Sequence, residues 1–286
     1  MSTTTHAAQD GDVVTPEPFA VLPGETAPEV IREHYCEHGL VAVQLFGQAE
    51  LHALRGMVRA LLARKAPSHP RLQVFAASDT PVPGLDSANP YGVYKVVNTP
   101  LAGDDWFALT VDRKILGVVT ELIGPDVNFH MGFLRLRPTG LRVQEGWHRD
   151  FDTDQHSNPG LVTALIYVDD MTAEAGATQV VPGSHRHALA PDGVTTVPLR
   201  APEPAERVDV AVPAGTVVFL DCLTVHRACT NRTPVNRTII LHEYKRADAI
   251  EVEPNDAAFG DLPLARRGST TAPWFAQPPR PWGAGS

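Results

Sequence analysis

Two histidines and one aspartate are the residues of this chain whose types and spacing point most directly to chemistry. His148 and Asp150 are separated by one residue, and His226 follows the apolar run TVVFLD and a short turn. Side chains at positions i and i+2 of a strand point to the same side, so this pair can chelate one metal ion. Two neutral imidazoles and one carboxylate are the donor set of non-heme iron(II) sites, which keep open positions for small molecules. The spacing therefore predicts an iron(II) site at His148, Asp150 and His226.

Four other histidines are alternatives, and an HxD pair can also be a surface histidine beside a carboxylate. His156 lies in the polar stretch DTDQHSNPG, where we expect it to be solvent-exposed. His185 and His187 lie in a predicted turn, and His242 lies in the strand-like run RTIILHEY, a position typical of a structural histidine. His226 ends an apolar strand-like run, and this favours it as the third ligand.

Composition narrows the classes of partner and compartment. The 286 residues carry a formal net charge of −9 without a cluster of lysines and arginines, which disfavours a nucleic-acid partner. The apolar runs are shorter than the roughly 20 residues that span a bilayer, and the first residues lack the features of a signal peptide. Three cysteines without a CxxC pair fit a reducing compartment. We expect a cytoplasmic monomer or homodimer that acts on a small molecule, without membrane or nucleic-acid partners.

The first half of the chain reads as an arm followed by helices. Residues 1–27 contain three prolines among polar residues and predict a flexible arm. Pro28 suits the first turn of a helix that ends at Gly39, residues 40–46 alternate like a strand, and a second helix is predicted over residues 48–66. Residues 67–103, rich in Pro, Gly, Asn and Ser, predict a long loop. Asp104 is expected to cap the helical stretch that ends at Gly124.

The sequence pattern of the second half of the chain is typical of a β protein. Seven short strand-like runs follow, separated by turn residues: VNFHMGFLRLRP, GWHRDF, LVTALIYV, TQVVP, VDVAV, TVVFLD and RTIILHEY. Strands of this number and spacing predict a sandwich or jelly roll. Residues 28–250 are therefore expected to form one domain with a jelly-roll core and flanking helices. Residues 251–286, rich in Pro and Gly, are expected to dock on it.

Four ordered segments give the chain a resemblance to a known family. They are IREHYCEHGLVAVQLFGQAELHAL, GWHRDFD, EAGATQVVPGSHRH and AGTVVFLDCLTVHRACTNRTPVNRTIIL. Together they resemble the phytanoyl-CoA dioxygenase family of Fe(II)- and 2-oxoglutarate-dependent oxygenases over roughly residues 28–246. WHRDFD and FLDCLTVH are also similar to ectoine hydroxylases. The resemblance implies a double-stranded β-helix, which is a jelly roll, with iron(II), 2-oxoglutarate and dioxygen as cofactor and co-substrates.

The resemblance also assigns residues, with two departures. His148, Asp150 and His226 would bind iron, and Arg237, eleven residues after His226, would pair with the far carboxylate of 2-oxoglutarate. A planar guanidinium suits that pairing. Family members often have a hydroxyl residue two positions after the second histidine, where this chain has Ala228, and Thr163 or Thr238 could supply that contact with the 2-oxoglutarate site instead. Ectoine hydroxylases place a glutamine that contacts 2-oxoglutarate where this chain has Met131.

The expected reaction is hydroxylation of an unactivated C–H bond in a small metabolite, such as an amino acid or a natural-product intermediate. Desaturation, epoxidation and cyclisation use the same cofactor chemistry and remain alternatives, as does a non-catalytic jelly-roll binding protein. Asp150 argues against halogenation, because related halogenases replace this carboxylate with a small residue. The residues expected to flank the substrate mouth are Arg135, Gln144, Trp147 and Phe151. Arg135 could hold an acidic substrate or be solvated.

Overall fold

The computed structural model describes residues 20–63, 69–81, 89–137, 146–151, 156–252, 259 and 261–267. Most of the predicted N-terminal arm, most of the predicted C-terminal segment, and Gln144 lie outside these residues. Among the residues that are described, none of the helices has the length and apolar character needed to cross a bilayer.

Four α-helices flank the sheets, and local sequence signals set their ends. They are α1 (Pro28–His38), α2 (Gln48–Leu62), α3 (Asp104–Thr110) and α4 (Arg113–Ile123). Helix α1 begins with proline and ends at Gly39 in the left-handed region, as its sequence predicts. The prediction that Asp104 caps a helix is wrong, because Gly103 holds the cap position. Asp112 is a true cap, and its carboxylate accepts hydrogen bonds from the backbone of α4.

Nine of the described strands form one large, mostly antiparallel sheet. They are β1 (Val21–Pro23), β2 (Leu40–Gln44), β3 (Gln73–Ala76), β4 (Val93–Val97), β5 (Val127–Arg137), β6 (Leu161–Tyr167), β9 (Thr216–Asp221), β11 (Arg237–Arg246) and β12 (Leu262–Ala265). Their order is β1-β2-β9-β6-β11-β5-β4-β3, with β12 paired to β5. A smaller sheet is formed by β7 (Gln179–Val180), β8 (Val208–Asp209) and β10 (His226–Arg227). Its strand order is β10-β7-β8.

Alternate residues of the large sheet enter two different cores. On β9, Val217 and Phe219 pack with the helices, while Val218 and Leu220 pack towards the small sheet with Val180. Strands β6 and β11 divide in the same way, because successive side chains of a strand point to opposite faces. The architecture is the predicted jelly roll with flanking helices. The three candidate metal ligands lie at the space between the two sheets.

Two further predictions about local structure are wrong. Residues 67–103 are not one loop, because strands β3 and β4 lie within them and extend the large sheet. The prolines and glycines of this segment lie mainly between the two strands. Their number made the short apolar runs of the strands hard to recognise in the sequence. The GWHRDF segment is not a strand either, and only His148 within it forms an isolated bridge, to His226.

Candidate metal centre

The segment that carries His148 and Asp150 is held by backbone hydrogen bonds to the turn after β9. His148 and His226 exchange two N–H···O bonds of 3.0 Å each, and the amide of Asp150 donates to the carbonyl of Cys222 at 2.9 Å. These bonds hold both ends of the HxD pair against the segment that supplies the second histidine. The sequence predicted that a strand would position the HxD pair. A short antiparallel bridge between His148 and His226 positions it instead.

The three predicted ligands come together. Oδ1 of Asp150 lies 3.7 Å from Nε2 of His148 and 3.5 Å from Nε2 of His226. The two imidazole rings are 4.2 Å apart between centroids. His226 is buried, while His148 and Asp150 are partly exposed, so the group lies at the wall of a cavity that opens to solvent.

Backbone carbonyls fix the tautomer of both histidines. Nδ1 of His148 lies 2.9 Å from the carbonyl of Gly146, and Nδ1 of His226 lies 3.0 Å from the carbonyl of Thr224. A carbonyl oxygen only accepts, so each Nδ1 must carry the proton and each Nε2 keeps its lone pair. This arrangement is typical of metal-binding histidines. The donor set therefore fits an iron(II) ion held by two imidazoles and a carboxylate.

Thr163 orients the carboxylate ligand. Its hydroxyl donates to Oδ2 of Asp150 at 3.2 Å, which leaves Oδ1 facing the two histidines. Thr163 is buried on β6 and also lines the cavity. The structure places this threonine beside a metal ligand, whereas the sequence analysis named it as a contact for 2-oxoglutarate.

A cavity of about 110 Å³ lies against the three ligands, between the two sheets. Ile239 and Leu241 of β11 line it, and Arg237 is the next residue on the same face of that strand. Nε of Arg237 is buried and has no hydrogen-bond partner among the described residues. An unpaired buried guanidinium nitrogen is costly, so Arg237 fits a site built for a carboxylate.

Ala228 also lines this cavity, and the structure places a hydroxyl opposite it. Strand β10 pairs with β7 so that Arg227 faces Gln179, which aligns Ala228 with Thr178. Thr178 is nearly buried and lines the same cavity. Sequence reasoning missed Thr178, because only the register between the strands identifies it.

Glu243 is a second residue that the sequence analysis missed. It lies on the cavity face of β11, and burial, followed by the charge of Asp150, raises its pKa to about 8. It also lines a neighbouring cavity of about 280 Å³, which shares Phe133, Asp150 and Thr163 with the first. The two cavities therefore meet at the candidate metal centre. The alternation of β11 would have placed Glu243 on the face of Arg237.

The structure separates the predicted substrate residues. Arg135 lines the cavity at the metal ligands. Trp147 instead lies against the guanidinium groups of Arg227 and Arg207, 4.6 Å and 5.5 Å from its ring. Phe151 is buried in a small apolar cluster with Leu161 and Cys222. Gln144 lies outside the described residues.

Three further predicted positions are placed as follows. Thr238 faces away from the cavity, because it alternates with Ile239, and its backbone N–H donates to Asp169. Met131 lines the larger cavity. The expectation that His156 is solvent-exposed is wrong, since it is 2% exposed and packs edge-on against His130.

The family model described as Phytanoyl-CoA dioxygenase (PhyH) matches residues 35–239. Among curated proteins, the chain is 26% identical to a probable alpha-ketoglutarate-dependent hypophosphite dioxygenase of Stutzerimonas stutzeri, over 54% of this chain and 58% of that protein. It is 28% identical to an ectoine dioxygenase of Halomonas elongata, over 73% of this chain and 67% of that protein. A second ectoine dioxygenase, from Stutzerimonas stutzeri strain A1501, is 27% identical over 49% of this chain and 54% of that protein. The chain thus spans only about half the length of some of these relatives.

Solved structures share the fold. The non-heme alpha ketoglutarate dependent carbocyclase SnoK from nogalamycin biosynthesis superposes with a TM-score of 0.65 and 22% identity, covering 85% of this chain and 96% of that one. EctD from S. alaskensis with bound Fe gives a TM-score of 0.62 at 20% identity, covering 84% of this chain and 88% of that one. At such identities the likeness establishes the fold alone.

Proposed function

The chain belongs to the phytanoyl-CoA dioxygenase family, and on this premise we propose that it is an iron(II)- and 2-oxoglutarate-dependent dioxygenase of a small metabolite. One observation carries the proposal: His148, Asp150 and His226 turn three ligand atoms towards one point at the wall of a cavity. When bound, iron with 2-oxoglutarate supplies the activation of dioxygen, with succinate and carbon dioxide as co-products. The remaining parts of the site are side chains of this protein.

The ligand residues present a preorganised donor set. The carbonyls of Gly146 and Thr224 hold the Nδ1 protons, so His148 and His226 offer Nε2 without rearrangement. Thr163 holds one carboxylate oxygen of Asp150 and leaves the other for the metal. Three protein ligands leave the other coordination positions free for the co-substrates.

Arg237 is the residue that would hold the far carboxylate of 2-oxoglutarate. It precedes Ile239 and Leu241 on the face of β11 that lines the smaller cavity. Its guanidinium offers the forked donors that a carboxylate takes up, and Thr178 offers a hydroxyl on the facing sheet. The apolar side chains between them would exclude water from the middle of the co-substrate.

The larger cavity is the proposed place for the substrate. It adjoins Asp150 and combines the apolar side chains of Phe133 and Leu161 with the carboxyl group of Glu243. Such a mixed lining suits a small molecule with a polar group, such as an amino acid or a natural-product intermediate. Hydroxylation of a C–H bond is the proposed outcome. Desaturation, epoxidation and cyclisation are alternatives that depend on how the substrate lies.

We further propose that residues 28–250 act as one catalytic domain in the cytoplasm, as a monomer or homodimer without nucleic-acid or membrane partners. The charge of −9 supports the absence of a nucleic-acid partner. Size measurement in solution would distinguish the monomer from the homodimer.

A mass-spectrometric screen tests the proposed reaction. The protein is incubated with Fe(II), 2-oxoglutarate and air against a panel that begins with amino acids. A product that gains one oxygen supports hydroxylation, and a product that loses two hydrogens supports desaturation or ring closure. Turnover that proceeds equally well without dioxygen would instead support a metal-dependent isomerase. Iron and 2-oxoglutarate binding without any turnover would support a binding protein.

A further inference from the structure

A second group of metal-binding side chains lies outside the candidate metal centre. His130 of β5, His156 and Glu251 turn three ligand atoms to within 4.8 Å of one another, and we call these three residues the second cluster. Nδ1 of His130 lies 3.0 Å from Oε1 of Glu251. Both histidines line the larger cavity, so the cluster forms part of its wall.

The second cluster contains an imidazole that no described residue satisfies. His156 is 2% exposed, and neither of its ring nitrogens has a hydrogen-bond partner among the described residues. Burying a polar group without a hydrogen-bond partner is unfavourable, so such a group calls for a bound water or ion. Burial also lowers the pKa values of His130, to about 4, and of His156, and this favours the neutral imidazoles that bind a cation.

The surrounding charges allow a cation. Glu251 and Asp261 both pair with the buried ammonium of Lys245, at 3.2 Å and 3.0 Å, so this group of three carries one net negative charge. Oε1 of Glu251 faces both Nζ of Lys245, at 3.2 Å, and Nδ1 of His130, at 3.0 Å, and the second oxygen of the carboxylate is a further donor for a metal. Nε2 of His130 lies 3.8 Å from Oε2 of Glu243, beyond hydrogen-bond distance, and Nδ1 is the ring nitrogen that faces Glu251.

We propose that His130, His156 and Glu251 bind a second divalent metal ion. Their donor atoms indicate that this ion is zinc. Two imidazoles and one carboxylate form a known zinc ligand set that keeps a fourth position open, and here the ligand atoms border the larger cavity. The ion would fasten β5 to the backbone bridge between His156 and Glu251. This proposal does not depend on the dioxygenase activity.

Metal counting in a protein that lacks the first site tests the proposal. The variant His148→Ala/His226→Ala is stripped with a chelator and dialysed against micromolar zinc, and the bound metal is measured by mass spectrometry. We expect one equivalent of zinc to remain bound and to raise the unfolding temperature, because a ligand of the folded state stabilises it. Cobalt in place of zinc should give the visible absorption of a low-coordinate site.

Substitutions in the same background locate the ion. His156→Asn and Glu251→Gln should each abolish zinc binding at that concentration, while His52→Asn, on the exposed face of α2, should retain it. Because His156 is buried, its variant could fail to fold. The side chain of Glu251 is 18% exposed, so Glu251→Gln is the variant that tests the site in that case. Its folded protein should lack the visible absorption of bound cobalt. Zinc-free His148→Ala/His226→Ala protein, or zinc retained in folded Glu251→Gln protein, would overturn the proposal.

Discussion

Individual hydrogen bonds determine what each side chain of the metal centre can do. The two Nδ1 contacts to carbonyls leave each Nε2 with a lone pair that can bind a metal, and the Thr163 hydroxyl leaves Oδ1 of Asp150 facing the two histidines. The sequence pattern was sufficient to predict that these three side chains come together. It could not predict Thr163 as the partner of Asp150, because that contact depends on how β6 lies beside the HxD segment.

Replacement of Arg237 should weaken 2-oxoglutarate binding selectively. We expect Arg237→Ala to raise the KM for 2-oxoglutarate by about 10- to 100-fold, from the loss of about 1.5–3 kcal/mol of charged hydrogen bonding. Steady-state assays of succinate formation measure this. Arg207→Ala serves as the control, since that arginine lies against Trp147. An unchanged KM in Arg237→Ala would assign the far carboxylate to another residue.

Thr163 should tune the affinity for iron. Thr163→Val keeps the shape of the side chain and removes its bond to Asp150, so we expect iron(II) to bind about 10- to 100-fold more weakly. Anaerobic iron titrations give this affinity. Thr163→Ser should restore it, and Thr238→Val should leave it unaltered because Thr238 faces away from the cavity. Equal iron affinity in Thr163→Val and wild type would show that the hydroxyl does not orient the ligand.

At the scale of elements, the turn after β9 holds the amide of Asp150 through the carbonyl of Cys222 and leads directly into His226 of β10. Gly39 supports this turn: its φ is 75°, and its carbonyl accepts from the hydroxyl of Thr224 and the amide of Asp221. The VPGSH segment supports it from the other side, as the amide of Val225 donates to Ser184. The sequence predicted the glycine as a helix end, but its contact with the metal-site turn is a tertiary feature.

Substitution of Gly39 should therefore disturb both stability and metal binding. A Cβ there would lie 2.2 Å from Oγ1 of Thr224 and 2.5 Å from His185, in a backbone conformation that L residues rarely adopt. We expect Gly39→Ala to lower the free energy of unfolding by roughly 1–3 kcal/mol and to weaken iron binding. Denaturant unfolding and iron titration measure the two effects.

Gly117 offers a matched control for the Gly39 variant. It lies within helix α4, and a Cβ built on it meets no atom within 4 Å. Gly117→Ala should stabilise the protein by up to about 1 kcal/mol, because alanine favours the helix. If both alanine variants have the same effect on stability, the contact of Gly39 with the turn has no energetic role.

At the scale of the whole molecule, successive side chains of β11 point in turn to the cavity and to the helix-side core. Arg237, Ile239 and Glu243 share the face of the cavity, while His242 and Tyr244 lie in the helix-side core. The number and spacing of the strand-like runs were readable from the sequence and predicted a sandwich or jelly roll. The sheet order was not readable, because it depends on pairings between distant segments such as β2 with β9.

The free energy of unfolding at acidic pH should depend on His242, the histidine that is buried in this core. Burial lowers the pKa of His242 from 6.5 to about 3, so on acidification the unfolded chain takes up its proton before the folded protein does. Stability from this residue is then lost as the pH falls below 6.5, by about 3 kcal/mol at a pH of about 4. Denaturant unfolding across this range should show a smaller acid loss for His242→Gln than for wild type, while exposed His52→Gln keeps the wild-type dependence. The same slope in His242→Gln and wild type would contradict the assignment.

We propose that His148, Asp150 and His226 form a catalytic iron site that uses 2-oxoglutarate and dioxygen. The most direct test measures succinate formed from 2-oxoglutarate by wild type and by Asp150→Ala, with iron(II), in air and under anaerobic conditions. Asp150→Ala removes one ligand and leaves Arg237 in place. We predict succinate from wild type in air alone, and none from Asp150→Ala. Equal succinate formation by the two proteins, or by wild type with and without dioxygen, would contradict the claim.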